Sequence, residues 1–261
     1  MNSNNPYGQN SYGDPMMPQG YSGYGFAAAD AKKEILKRVF LYMFSGLIVT
    51  ALIAGIGLSL PSVYFMILMN PWVITATIII QLGVCIGFSI ASAKVNPRVS
   101  RILFYTYSVI SGISLIVFLS IYTMQSIVIS FAAAAFTFGG MAFWGYRTKR
   151  DLTTVGIIGR MFLIGALVVS VLNFVLYFIA PGFASALNML LNYVILAVFI
   201  GITAFDMQRI KKIAESNMQG FTGPEGAALI ESISMFGALQ LYLDFVNIFI
   251  RMLAIGGKRN N

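Results

Sequence analysis

Seven long apolar stretches follow one another along the chain. They occupy 38–60, 71–93, 102–121, 125–146, 156–180, 186–206 and 232–254. Each is close to the ~20 residues that an α-helix needs to cross ~30 Å of hydrocarbon, and only short polar connections separate them. The pattern therefore predicts an all-α integral membrane protein, a bundle of seven transmembrane helices.

The first 30 residues differ from the rest of the chain. They are rich in Asn, Gly, Tyr, Pro and Gln, a composition that cannot bury a core and that is typical of disorder. They also lack the basic segment followed by an apolar one that marks a signal peptide. We therefore expect a disordered N-terminal tail at 1–30 and a seven-helix transmembrane domain at 31–261.

Composition excludes several classes of function. Of the 261 residues, 58% are apolar and only 10% are charged, whereas roughly a quarter are charged in a soluble domain. The net charge of +8 lies in short clusters between apolar stretches, so we expect no nucleic-acid partner. The chain has no histidine and a single cysteine, Cys85. Histidine-based catalysis, histidine-bound haem or zinc and a disulfide framework are therefore excluded, and no cofactor is expected.

Basic residues alternate between the connections. Most of the 17 Lys and Arg residues flank the first stretch or lie in the second, fourth and sixth connections, whereas 61–70, 122–124 and 181–186 contain none. By the positive-inside rule this asymmetry predicts a multi-pass protein with a cytoplasmic N-terminus. The short connections and the lack of organelle signals favour the plasma membrane. Lys258 and Arg259 leave two possibilities for the last segment. A full crossing would place them outside, and a re-entrant segment would place them inside.

Only two carboxylates lie in or at the end of a predicted span. Asp206 ends the sixth span and Asp244 lies midway along the seventh. An ionised side chain at mid-bilayer is unfavourable by roughly 2.5–3.5 kcal/mol on insertion scales. Such residues are therefore the first candidates for function.

Each of these carboxylates belongs to a polar stripe with helical spacing. In the seventh span the stripe comprises Gly237, Gln240, Asp244, Asn247 and Arg251; in the sixth it comprises Asn192, Thr203 and Asp206. Lipid cannot satisfy polar side chains, so we expect both stripes to face the protein interior and each other. Arg251 lies two turns, ~10.5 Å, beyond Asp244, so we expect it to pair with another helix or with water.

The two stripes allow two interpretations. One is a hydrogen-bond network that only holds the helices together. The other is a water-accessible path for ions or protons. If Asp206 and Asp244 lie close together, they cannot both ionise easily and would share a proton. Deprotonation would create a dianionic site suited to transient contact with a hard cation such as Ca²⁺.

Three segments carry a resemblance to a known family. They are FGGMAFWGYRTKRDLTTVG at 138–156, GITAFDMQRIKKI at 201–213 and GALQLYLDFVNIFIRML at 237–253. Together with Asn173 and GLIVTALIA at 46–54, they resemble the Bax-inhibitor-one family, and more narrowly its bacterial branch. The resemblance extends over about 30–259.

The resemblance implies a seven-helix bundle with the last helix in the centre and a pH-sensitive calcium leak across the membrane. The family's pH-sensing aspartates match Asp206 and Asp244. The alternative that it implies is an accessory protein that binds and modulates a membrane protease without transport. This chain departs from the family in two respects. Ala254 stands where a basic residue is usual, and Arg251 lies three residues earlier. The second span has no acidic residue that could be a gating partner, only Gln81.

An intramembrane aspartyl protease would also carry paired aspartates. Neither Asp206, in AFDMQ, nor Asp244, in YLDFV, lies in a GxGD-type motif, so we expect no enzymatic activity. The expected partners are the lipid bilayer, Ca²⁺ and protons, with a membrane protease in the alternative hypothesis.

The charge asymmetry generates a topology prediction. In a background without Cys85, single cysteines at 147–151 and 209–213 should react with an impermeant thiol reagent only from the cytoplasmic side, because these connections carry the basic residues. A cysteine at position 183 should react only from outside. Labelling of position 183 from the cytoplasmic side alone would contradict the assignment.

Overall fold

A computed structural model describes residues 20–216 and 223–260, which form eight helices. They are α1 (Gly20–Ser59), α2 (Pro61–Met69), α3 (Pro71–Ala93), α4 (Pro97–Leu119), α5 (Met124–Arg147), α6 (Thr153–Ile179), α7 (Pro181–Ser216) and α8 (Gly223–Gly256). All except α2 contain a segment long and apolar enough to cross a membrane. The predicted class, a seven-span all-α membrane protein, is confirmed.

The connection predicted at 61–70 is instead the short helix α2. Pro61 occupies its first position, where a backbone N–H has no partner within the helix and its loss costs nothing. Asn70 then separates α2 from α3, and its side chain accepts a hydrogen bond from the Trp72 backbone N–H. The predicted loop is therefore a helix that starts at a proline, and Asn70 caps the helix that follows it.

Two helices extend beyond their predicted limits. α7 continues past 206 to Ser216, because Met207, Ile210 and Ala214 recur at helical spacing and are buried. α1 begins at Gly20, so 20–30 of the predicted tail is helical. The alanines at 27–29 are strong helix formers. The remainder of the predicted tail, 1–19, lies outside the described residues.

Ion pairs join the helix ends at one side of the bundle, which we call the basic face. Lys32 of α1 lies 2.6 Å from Glu215 of α7, and Lys212 of α7 lies 2.8 Å from Asp151 in the α5–α6 connection. The same face carries the basic connections identified in the sequence. The seven spans therefore collect these cationic connections on one side.

Glu231 is the most extensively bonded carboxylate of the basic face. It lies in the first turns of α8, is 6% exposed, and accepts hydrogen bonds from Arg38 and Tyr42 of α1 and from Arg101 of α4. Arg38 also bonds Glu34, one turn earlier in α1. Glu231 thus fastens the start of α8 to two other helices.

Backbone hydrogen bonds close the opposite face. Thr123 N–H donates to the Lys258 carbonyl, and Asn260 N–H donates to the Ile121 carbonyl. Because α8 is one continuous helix, the C-terminal residues lie on the face opposite the basic connections. Of the two possibilities for the last segment, the structure shows a full crossing.

α8 packs against α1, α3, α4, α5 and α7, and its apolar segment has a larger buried share than that of any other span described. Tyr242, Leu241 and Ile248 are fully buried in the main core. The structure shows that α8 packs against five other helices. That it is the central helix of the bundle stays a prediction.

We predict that Glu231→Gln lowers the free energy of unfolding by about 2–3 kcal/mol, because hydrogen bonds to charged groups contribute roughly that much. Glu34→Gln is the matched control, since its pair with Arg38 is an exposed i, i+4 contact and such pairs contribute little to stability. Unfolding in mixed detergent micelles measures both variants. Equal losses would contradict the role of Glu231.

Candidate functional site

Glycines position the part of α7 that carries Asp206. A Cβ atom placed on Gly145 of α5 would lie 2.2 Å from the Ala204 carbonyl oxygen, and one on Gly156 of α6 would lie 2.5 Å from the Phe205 ring. Small residues let membrane helices approach closely. They hold the segment around Asp206 directly against α5 and α6.

The LYLDF motif directs successive side chains of α8 to different neighbours. The Tyr242 hydroxyl lies 2.7 Å from the Thr50 hydroxyl of α1, and its ring packs edge-on against Phe104 of α4. Phe245 packs edge-on against Phe131 of α5. Asp244, between them in sequence, interacts with Asp206 of α7. The aromatic residues on either side of Asp244 in the sequence therefore attach α8 to α1, α4 and α5.

The structure brings the two predicted aspartates together. Asp206 is 5% exposed and Asp244 is 3% exposed, and Asp244 lies within range of the charge of Asp206. The nearest described cation is Arg160 of α6, whose Nη2 lies 3.8 Å from Asp206 Oδ1. Arg209, one turn along α7, also acts on Asp206 through its charge. The pair is thus a buried acidic site with cations on the α6–α7 side.

The supporting residues divide into two groups. Arg251 Nη1 donates to Asn192 Oδ1 at 2.7 Å, which joins α8 to α7; the expected interhelical partner of Arg251 is therefore Asn192. Thr203 and Asn247 instead donate to carbonyls of their own helices, those of Phe199 and Leu243. The contact between the stripes is made at the two aspartates and at Asn192–Arg251.

Several polar atoms along this α7–α8 contact have no hydrogen-bond partner among the described residues. They are Asp206 Oδ1, Asp244 Oδ2, Gln240 Oε1 and Arg251 Nε, all buried. Most buried polar groups in folded proteins are hydrogen-bonded, and an unsatisfied one costs several kcal/mol in a hydrocarbon environment.

Sequence reasoning missed Arg160 as part of the site. Its side chain lies on α6 beside Asp206 and over the Phe205 ring, 5.3 Å from the centroid. The available signal was its position inside the predicted fifth span, since an arginine within a span needs a polar partner.

Gln208 of the AFDMQ segment organises the neighbouring connection. It is 5% exposed, accepts from the Leu152 backbone N–H at 3.0 Å, and donates to the Arg150 carbonyl at 2.7 Å. Two residues after Asp206, this amide fixes the α5–α6 connection against α7. The motif therefore combines a buried acid with a structural amide.

Asp151 is an acid of the same connection but lies outside the spans. The hydrogen bond from Lys212, helped by those from Thr153, lowers the pKa of Asp151 to about 2. Because the folded pKa is below the ordinary value, Asp151 stays ionised at neutral pH and loses this interaction only when the pH falls through about 2. It does not titrate where a physiological pH response would occur.

Seven spans that enclose a buried acidic pair define a multi-pass membrane protein. Residues 32–261 match the sequence profile of the family described as inhibitor of apoptosis-promoting Bax1. The chain belongs to this Bax-inhibitor family, as the sequence motifs predicted.

Bacterial relatives cover most of the chain. It is 34% identical to the inner membrane protein YbhL of Escherichia coli (strain K12), over 86% of this chain and 91% of the relative. It is 33% identical to an uncharacterized protein of Borreliella burgdorferi, over 88% and 94% of the two chains. It is 30% identical to the uncharacterized protein RP147 of Rickettsia prowazekii, over 88% and 91%. The similarity therefore includes all seven spans.

We predict that Gln208→Ala lowers the free energy of unfolding by about 2–3 kcal/mol, because it removes two hydrogen bonds and leaves the buried Leu152 N–H without a partner. Lys212→Ala is the control. It removes the exposed ion pair with Asp151 and should lower the free energy of unfolding clearly less than Gln208→Ala does, because exposed ion pairs contribute little to stability. If both variants unfold alike, Gln208 does not fix the connection.

Proposed function

We propose that this protein is a pH-sensitive cation leak, with Ca²⁺ as the permeant ion, and that Asp206 and Asp244 form its titrating gate. The observation that carries the proposal is the burial of both carboxyls on two helices that pack together, α7 and α8, with Asp244 within range of the charge of Asp206. The membrane proposed is the plasma membrane, by similarity to the inner membrane protein of Escherichia coli.

Charge supports the gating role. Two ionised carboxylates repel each other strongly in a low-dielectric interior, and a proton shared between them removes that repulsion. The charged groups that act on the pair are Arg160 of α6 and Arg209 of α7. Arg160 is 3.8 Å from Asp206, too far for a hydrogen bond. A change of protonation would therefore change the force between α7 and α8.

The unsatisfied polar atoms support access of water or ions. Asp206, Gln240, Asp244 and Arg251 each present a buried atom without a described partner, and all belong to the facing stripes. Carboxylate and amide oxygens are the ligands that Ca²⁺ prefers. When α7 and α8 separate, these oxygens would line the path that opens.

The test is Ca²⁺ flux into liposomes that contain the purified protein, measured between about pH 5 and 8. Asp206→Asn and Asp244→Asn keep size and hydrogen bonding but remove the titration. Each should flatten the pH dependence of flux, and the double variant should add little, because the two carboxyls titrate as one unit.

Asp151→Asn is the matched control. It removes a carboxylate from the same chain, but the low pKa of Asp151 keeps that group ionised throughout the tested range. Its pH profile should equal that of the natural protein. An unchanged profile in both Asp206→Asn and Asp244→Asn would contradict the gate, and absence of flux in the natural protein would favour the accessory role at a membrane protease.

A further inference from the structure

An apolar groove runs between α1 and α5 on the outside of the bundle. Its walls include Phe40 and Phe44 of α1 and Phe143 of α5, and its floor is Phe245 of α8. The volume is about 350 Å³, within the range of roughly 300–1,000 Å³ found for ligand pockets. We call it the α1–α5 groove.

The groove has the length of one bilayer leaflet. Along α5 its lining extends from Ala135 to Tyr146, and at 1.5 Å per residue this corresponds to ~17 Å. Half of the ~30 Å hydrocarbon core is ~15 Å. A single acyl chain that entered from the basic face would therefore fill the groove without crossing the bilayer midplane.

Cations surround the end of the groove at the basic face. Lys32 and Lys211 lie 5.6 Å and 5.2 Å from the centroid of the Tyr146 ring, and Arg147 lies 5.5 Å from that of Phe143. Both rings line the groove. Glu215 neutralises part of this charge through Lys32, but the excess is positive. An anionic group is therefore the complement of this end.

We propose that the α1–α5 groove binds an anionic phospholipid, with one acyl chain between α1 and α5 and the headgroup beside Lys32, Arg147 and Lys211. Apolar walls alone would accept any lipid of the bilayer, and the cations select a headgroup with net negative charge. The proposal does not depend on the proposed leak, because it rests on residues outside the α7–α8 stripes.

Two adjacent glycines of α5 provide a matched pair of variants. Gly139 lines the groove and Gly140 does not, since successive residues differ by ~100° around a helix. At both positions an added Cβ would meet no atom within 4 Å. Gly139→Leu should therefore fill the groove, whereas Gly140→Leu adds the same side chain outside it.

The experiment is native mass spectrometry of the full chain in detergent, titrated with dioleoylphosphatidylglycerol or dioleoylphosphatidylcholine. One phosphatidylglycerol should bind in preference to phosphatidylcholine. Gly139→Leu should lose this binding and Gly140→Leu should keep it. Arg147→Gln should weaken it about fivefold, since a basic residue near an anionic lipid contributes roughly that factor. Arg98→Gln, an exposed arginine of the same face on α4, should leave it unchanged.

Equal binding of the two lipids would overturn the proposal, and so would unchanged binding by Gly139→Leu. Arg147→Gln tests the headgroup site even if Gly139→Leu does not fold. Arg147 lies at an exposed helix end and does not line the groove, so its replacement should not disturb folding. If Arg147→Gln and Arg98→Gln weaken binding alike, the attraction is a general property of the basic face and the groove is not the site.

Discussion

The hydrocarbon core of a bilayer offers no hydrogen bonds, and this constraint governs where α8 can lie. The helix carries Glu231, Gln240, Asp244 and Arg251, and exposure of such groups to lipid is unfavourable. Protein must therefore cover it on several sides. The packing of α8 against five other helices satisfies that requirement, and α6, which is apolar along most of its length, can contact mainly α7.

The same constraint explains what could be predicted from the sequence. Span number and the facing stripes follow from local periodicity, because hydrophobic and polar positions repeat at the helical period. The Glu231 cluster does not follow from it. Its arginine partners lie 193 and 130 residues away in sequence, and nothing local to Glu231 identifies them. Such long-range partners emerge only when the helices are packed.

The residues of the candidate site likewise include some that the sequence could predict and one that it could not. The spacing within α7 and α8 was sufficient to predict that the stripes of Asp206 and Asp244 face each other, since lipid cannot satisfy polar side chains. It was not sufficient to place Arg160, because the rotation of α6 about its axis depends on Gly156 and Gly159 packing against α7. The positive-inside rule assigns an arginine near a span end to a connection. Arg160 fits that rule and also lies beside Asp206.

The contacts at the two faces determine where a rearrangement could occur. At the basic face, Glu231 attaches α8 to α1 and α4, while Gln208 attaches α7 to the α5–α6 connection. At the opposite face, the chain after α8 is bonded to the α4–α5 connection. Asp206 and Asp244 thus belong to helices that are anchored to different neighbours. None of these hydrogen bonds joins α7 to α8. Repulsion between the two carboxylates would therefore push apart the α7–α8 contact, and under the proposed function the gate opens there.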